Sequence, residues 1–128
     1  MFRFLFILLL LLKGCSDSDQ RSFKFISSSE FIELSNDFEL IDVRTKSEYE
    51  SGFIESGLNI DFFSDTFDSD ILSLNKNSKI ILYCRTNNRS TKSANLLINN
   101  GFKNISVIEG GITDWLKNGN DIKYPKLD

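Results

Sequence analysis

Apolar positions along this chain follow two rhythms. Phe4 to Leu12 is an unbroken apolar run. Beyond residue 22 the apolar residues come in short strand-like bursts, separated by stretches with helical spacing. Phe23-Lys24-Phe25-Ile26 predicts a short strand. Ser27 to Ser29 supply helix caps ahead of Glu30, with Phe31, Ile32 and Leu34 spaced as one helical face. Glu39-Leu40-Ile41-Asp42-Val43 is nearly continuous in apolar residues, the mark of a strand buried on both faces. Lys46 to Ser51 predicts a helix ended by Gly52, Leu58 to Ile60 a small strand, and Phe67 to Leu74 another helix. Lys79-Ile80-Ile81-Leu82-Tyr83 is the strongest central strand. Ser90 to Asn99 carries Ala94, Leu97 and Ile98 on one face and stops at Gly101. Ile105 to Ile108 predicts a strand, and Ile112 to Asn118 a closing helix. Strands alternating with helices predict an α/β fold: a doubly wound, mostly parallel sheet with helices on both faces.

The first apolar run has a different use. Preceded by Arg3, it has signal-peptide length and is too short to span a bilayer of about 30 Å. It ends Leu12-Lys13-Gly14-Cys15, which resembles the lipobox of bacterial lipoproteins except that Lys13 fills a slot usually small and uncharged. That resemblance implies lipidation at Cys15 and a domain held at the bacterial cell envelope, outside the cytoplasm, by a lipid anchor in the membrane. A cleaved secretory peptide with an incidental cysteine and an uncleaved anchor are the alternatives. The expected organisation is therefore a signal peptide over 1–14, a polar tether over 15–22, one folded domain over 23–122 and a tail over 123–128.

Composition narrows the chemistry. With 15 basic and 18 acidic residues the net charge is −3. Without residues 1–14 the count is 13 against 18, or −5, which argues against nucleic acid as a partner. There is no histidine, so a Ser-His-Asp triad, a Cys-His dyad and a His-ligated zinc site are excluded. Two cysteines, Cys15 and Cys84, cannot build a thiolate zinc site or a CxxC redox pair. We expect no metal and no cofactor, and a monomer. The twelve phenylalanines read as core filling.

The segment with the most chemistry is Cys84-Arg85-Thr86-Asn87-Asn88-Arg89-Ser90, at the C-terminal end of the central strand and just before a helix. Amides at a helix start lack partners and carry partial positive charge, so such a turn forms an anion nest. A cysteine there, with Arg85 and Arg89 beside it, is favoured as a thiolate. Read alone, Cys84 is equally a small buried hydrophobe; Arg89, a cation at the positive end of a helix, makes the anion-binding reading stronger. Arg85 reaches substrate or faces solvent. Arg44 is expected to pair with Glu48, and Asp42 to brace the loop. Gly110 and Gly111 allow close backbone approach, and Trp115 belongs to the core.

Leu40-Ile41-Asp42-Val43-Arg44, Glu48-Tyr49, Gly52-Phe53-Ile54, Asn59-Ile60, the Cys84–Ser90 loop and Glu109-Gly110-Gly111 with Trp115 resemble, in order and spacing, a single-domain rhodanese. The resemblance covers roughly residues 23 to 119. It implies a sulfurtransferase in which Cys84 takes a sulfane sulfur from a donor anion such as thiosulfate. The resulting persulfide then passes the sulfur to a thiol or cyanide acceptor. The anion-binding loop would comprise Arg85, Thr86, Asn87, Asn88, Arg89 and Ser90, with Asp42, Arg44, Gly110 and Gly111 in support. Phe53 replaces a common histidine, a change expected to touch packing. Asn87 stands where glycine is frequent; Asn tolerates left-handed φ, so the loop is expected still to close. Two other readings stay open. One is a phosphatase or arsenate reductase, whose loops run Cys-x5-Arg where this one has four residues between Cys84 and Arg89. The other is a non-catalytic module that binds a partner or senses sulfide.

Overall fold

The structure, a computed structural model, describes residues 22–127. The expected signal peptide, Cys15 and nearly all of the tether lie outside the described residues. Ten elements follow in strict alternation: β1 (Lys24–Ile26), α1 (Ser28–Ile32), β2 (Glu39–Asp42), α2 (Lys46–Glu50), β3 (Leu58–Asn59), α3 (Phe67–Leu72), β4 (Ile80–Tyr83), α4 (Asn88–Asn99), β5 (Ile105–Ile108) and α5 (Gly111–Lys117). The sheet runs β1-β5-β4-β2-β3. Every strand pair is parallel, so the sheet goes beyond the mostly parallel expectation. An isolated antiparallel bridge joins Phe53 to Lys123.

The two-residue period of a strand sorts β4 between two cores. Ile80, Leu82 and Cys84 face one side, with Ile41, Val43, Ile105 and Val107 from the neighbouring strands. There they meet Phe67 and Ile71 of α3 and Ala94, Leu97 and Ile98 of α4. Ile81 and Tyr83 face the other side with Leu40 and Ile108, against Phe31 of α1 and Ile112 and Trp115 of α5. Trp115 is core, as read from the sequence, and its indole N–H donates to Asp121 O at 2.8 Å.

Local chemistry fixes the helix starts. Ser27 caps α1 by accepting from Glu30 N–H. Thr45 and Glu48 form a reciprocal capping box on α2. Helix α4 begins at Asn88, two residues earlier than the sequence suggested. Among the described residues, no helix is long and apolar enough to cross a membrane. The sheet order brings the C-terminal ends of β2 and β4 side by side, the edge at which open parallel sheets hold their ligands.

Candidate active site

Cys84 follows Tyr83 directly at the end of β4 and is 1% exposed. Its Sγ lies 3.3 Å from Ser90 Oγ, the only side-chain polar atom among the described residues within hydrogen-bond reach of the sulfur. Ser90, fully buried in the first turn of α4, has a second possible acceptor: its Oγ also lies 3.2 Å from Asn87 O, to which it donates. One hydroxyl proton thus serves either the Asn87 carbonyl or the sulfur.

The amides from Arg85 to Ser90 donate to no backbone or side-chain group among the described residues. This is the shortage every helix start carries, extended here through the preceding loop. The opposite polarity is found on the other side of the loop. Ile112 N–H donates to Cys84 O at 3.0 Å and Thr113 N–H to Arg85 O at 3.1 Å, so the start of α5 holds the loop by its carbonyls. Gly110 N–H donates to Asn87 Oδ1 at 2.9 Å. Gly111 has φ +56°, and a Cβ there would overlap the carbonyl oxygens of Cys84 and Thr86. The close approach expected beside the loop is present at this glycine.

Arg89 departs from expectation. Both guanidinium amino groups donate to Glu48 of α2, at 2.7 Å to Oε1 and 3.0 Å to Oε2. The guanidinium carbon lies 5.7 Å from the centroid of the Phe63 ring, which is 68% exposed. The hydrogen bond from Arg89 pulls the Glu48 carboxyl down to about 2, and the same bond raises the guanidinium. Arg85, Thr86 and Asn88 are exposed.

The expected Arg44–Glu48 ion pair does not form. Arg44 turns inward before the cap of α2, where its Nη2 meets the fully buried Asp42 Oδ2 at 2.7 Å and its Nε meets both carboxylate oxygens. It reaches Glu48 only through the carbonyl, and it also donates to Gly52 O at 2.7 Å. Asp42 therefore braces the segment from Arg44 to Gly52 and has no bond to the Cys84 loop. The neighbouring Tyr83 phenol is raised, by burial first and then by the Asp42 carboxylate, and its oxygen accepts from Ile54 N–H. The loop closes with Asn87 in place, and without using the left-handed region: its φ is −134°. Phe53 stacks on Tyr49 with centroids 4.4 Å apart, a packing role.

Sequence reasoning missed Glu48 as the partner of Arg89. It also missed Asn59, whose amide donates to Asp42 O and Arg44 O. No group of three or more acidic or cysteine side chains among the described residues is placed to hold a metal ion. A groove of about 830 Å³ beside β3, lined by Tyr49, Leu58, Leu74 and Pro125, does not include the loop.

The model of the rhodanese-like domain family matches residues 27–118. A tRNA uridine(34) hydroxylase of Wigglesworthia glossinidia brevipalpis is 32% identical over 122 residues, which cover 89% of this chain and 38% of that protein. The namesake from Photorhabdus laumondii is matched over 25% of its length. The chain thus spans well under half of these curated relatives. Among solved structures, a rhodanese-like domain protein of Staphylococcus aureus is 28% identical with a TM-score of 0.69, covering 81% of this chain and all of that one. A rhodanese-related protein of Thermoplasma volcanium, at 24% identity and a TM-score of 0.73, shares the fold over 80% of this chain and 100% of its own.

Proposed function

The chain belongs to the rhodanese-like family, and from that premise we propose that it is a sulfurtransferase with Cys84 as the sulfur carrier. The observation that carries this reading is the setting of Cys84: a buried sulfur, one hydroxyl within reach, and a run of six amides with no partner among the described residues. Such a loop suits a monoatomic or small sulfur anion.

The chemistry balances without a redox partner. The Cys84 thiolate attacks the sulfane sulfur of a donor such as thiosulfate. The donor S–S bond breaks, its electron pair leaves with sulfite, and a Cys84 persulfide anion remains. A thiolate or cyanide acceptor then attacks the outer sulfur, and the Cys84 thiolate departs unchanged. The Ser90 hydroxyl is placed to turn from Asn87 O to the sulfur as negative charge develops there. Cys84 is the free cysteine of the described residues, so they supply no acceptor thiol of their own.

The phosphatase reading fares worse on one point. Such loops run Cys-x5-Arg, whereas four residues separate Cys84 from Arg89 here and make a smaller ring. The relatives' name refers to tRNA, but this chain carries a net charge of −3 and we assign it only the sulfur chemistry of the shared domain.

The test is thiosulfate-to-cyanide transfer by purified protein, with mass spectrometry of the protein as isolated. We expect turnover, a Cys84 adduct of one sulfur atom, and loss of both in Cys84→Ser with the fold intact. Transfer retained by that variant would end the proposal.

For location, Gly14-Cys15 after the apolar run supports a lipid-anchored protein of the bacterial cell envelope, with the domain outside the cytoplasm. Radiolabelled palmitate should enter the full-length protein and not Cys15→Ala. Absence of label in both would replace the anchor with simple secretion or an uncleaved apolar segment.

A further inference from the structure

Asn87 holds the N-cap position of α4, yet it does not cap the helix. Asn is among the residues preferred there because its side-chain oxygen accepts from the second or third amide of the helix. Here that oxygen is turned the other way. Oδ1 accepts from Gly110 N–H at 2.9 Å, in the turn between β5 and α5. The Asn87 backbone is occupied as well, its carbonyl taking the Ser90 hydroxyl and Thr91 N–H. The N-terminal amides of α4 consequently keep no side-chain acceptor of their own.

We infer that Asn87 is a positioning residue whose bond to Gly110 keeps its own amide oxygen off the start of α4, leaving those amides open to an incoming anion. The inference rests on the reading of this loop as the sulfur-transfer site and names what holds the Asn87 side chain away from it. An Asn released from Gly110 has an acceptor within reach of the amides that the donor anion would use. The result would be a helix stabilised by its own cap and an anion site filled by its own side chain. Glycine or alanine at this position makes no such competitor, but neither ties the loop to Gly110. Serine competes without tying, because it caps helices well and is one bond shorter than Asn.

That difference separates this role from simpler ones. Inorganic sulfate is a non-reactive dianion, and its binding is followed through the NMR shifts of the amides of residues 85–90 in wild type, Asn87→Ala and Asn87→Ser. Affinity should fall in the order wild type, Ala, Ser, with Ser roughly 3- to 10-fold weaker than wild type, the scale of one hydrogen bond. Asn87→Ser should melt at or above Asn87→Ala, and the Gly110 amide should exchange faster in both variants. Equal affinities in Ala and Ser would reduce Asn87 to a strut, and wild-type affinity in Ser would reduce it to an ordinary cap. Either result overturns the inference, as does a wild type with no sulfate-dependent shift. Sulfate binding does not involve sulfur transfer. The predicted order without thiosulfate turnover would therefore support this inference while removing the enzymatic reading.

Discussion

Arg89 and Glu48, forty-one residues apart in sequence, meet as a two-pronged ion pair that ties the first turn of α4 to α2. The arginine of the Cys84 loop is therefore charge-compensated, and on the proposed reading the loop would draw anions through its amides and exposed Arg85. Removing either partner leaves the other with an unmatched charge. Arg89→Ala and Glu48→Gln should each destabilise the fold, and the double variant should lose less than the sum. For a pair that is part-exposed, a coupling of about 1 kcal/mol is expected from a denaturant double-mutant cycle. A coupling of zero would mean the fork is not held in solution.

The same pair sets an acid limit. Glu48 ionises near 2 in the folded protein, below its ordinary 4.5. A depressed carboxyl stabilises the fold above its unfolded value, and that contribution fades as pH falls through the folded one. Wild type should lose stability between about pH 4.5 and 2 relative to Glu48→Gln. Parallel denaturation curves of the two proteins across that window would refute this.

Asp42 and Arg44 form the costliest pair to break. Both are buried, and Arg44 further holds the carbonyls of Glu48 and Gly52. Asp42→Ala strands a guanidinium in the interior, at a cost of about 3–5 kcal/mol in urea unfolding. A loss below about 1 kcal/mol would show that water reaches Arg44.

Gly111→Ala tests how tightly α5 is pressed against the loop. Its φ is positive and its missing Cβ faces the carbonyls of Cys84 and Thr86. Backbone strain alone is worth about 1–3 kcal/mol, and relief requires the loop to move. The variant should lose sulfur transfer beyond what its melting temperature explains. Unchanged activity would mean the loop tolerates displacement.

What the sequence made legible was governed by local rules. Ile80 to Tyr83 is apolar without interruption and Ile105 to Ile108 is broken only by Ser106, the pattern of strands buried on both faces. The loop after β4 was legible because strand, cysteine, arginines and helix start are contiguous. What escaped depends on distance in space. Nothing near Glu48 points to a residue of α4. Arg44 looked like its neighbour's partner because helical spacing says nothing about a side chain that turns inward before the cap. The Thr45 and Glu48 capping box is a local signal, legible at its three-residue spacing. Asn87 misled because its tolerance of positive φ was the familiar explanation, while its side chain has a partner twenty-three residues away.

The place of β5 in the sheet bears on how this protein is made. It is the last strand in sequence, yet it lies between β1 and β4, so neither of those edges is paired until it arrives. A ribosome emits the chain at about 5–20 residues per second. For the time needed to add residues 85 to 113, Cys84 is present but its carbonyl has not met the start of α5. The Cys84 thiol of the nascent chain is therefore born unhoused, and release of a truncated product ending before Ile105 would leave two open strand edges and a bare cysteine on one molecule.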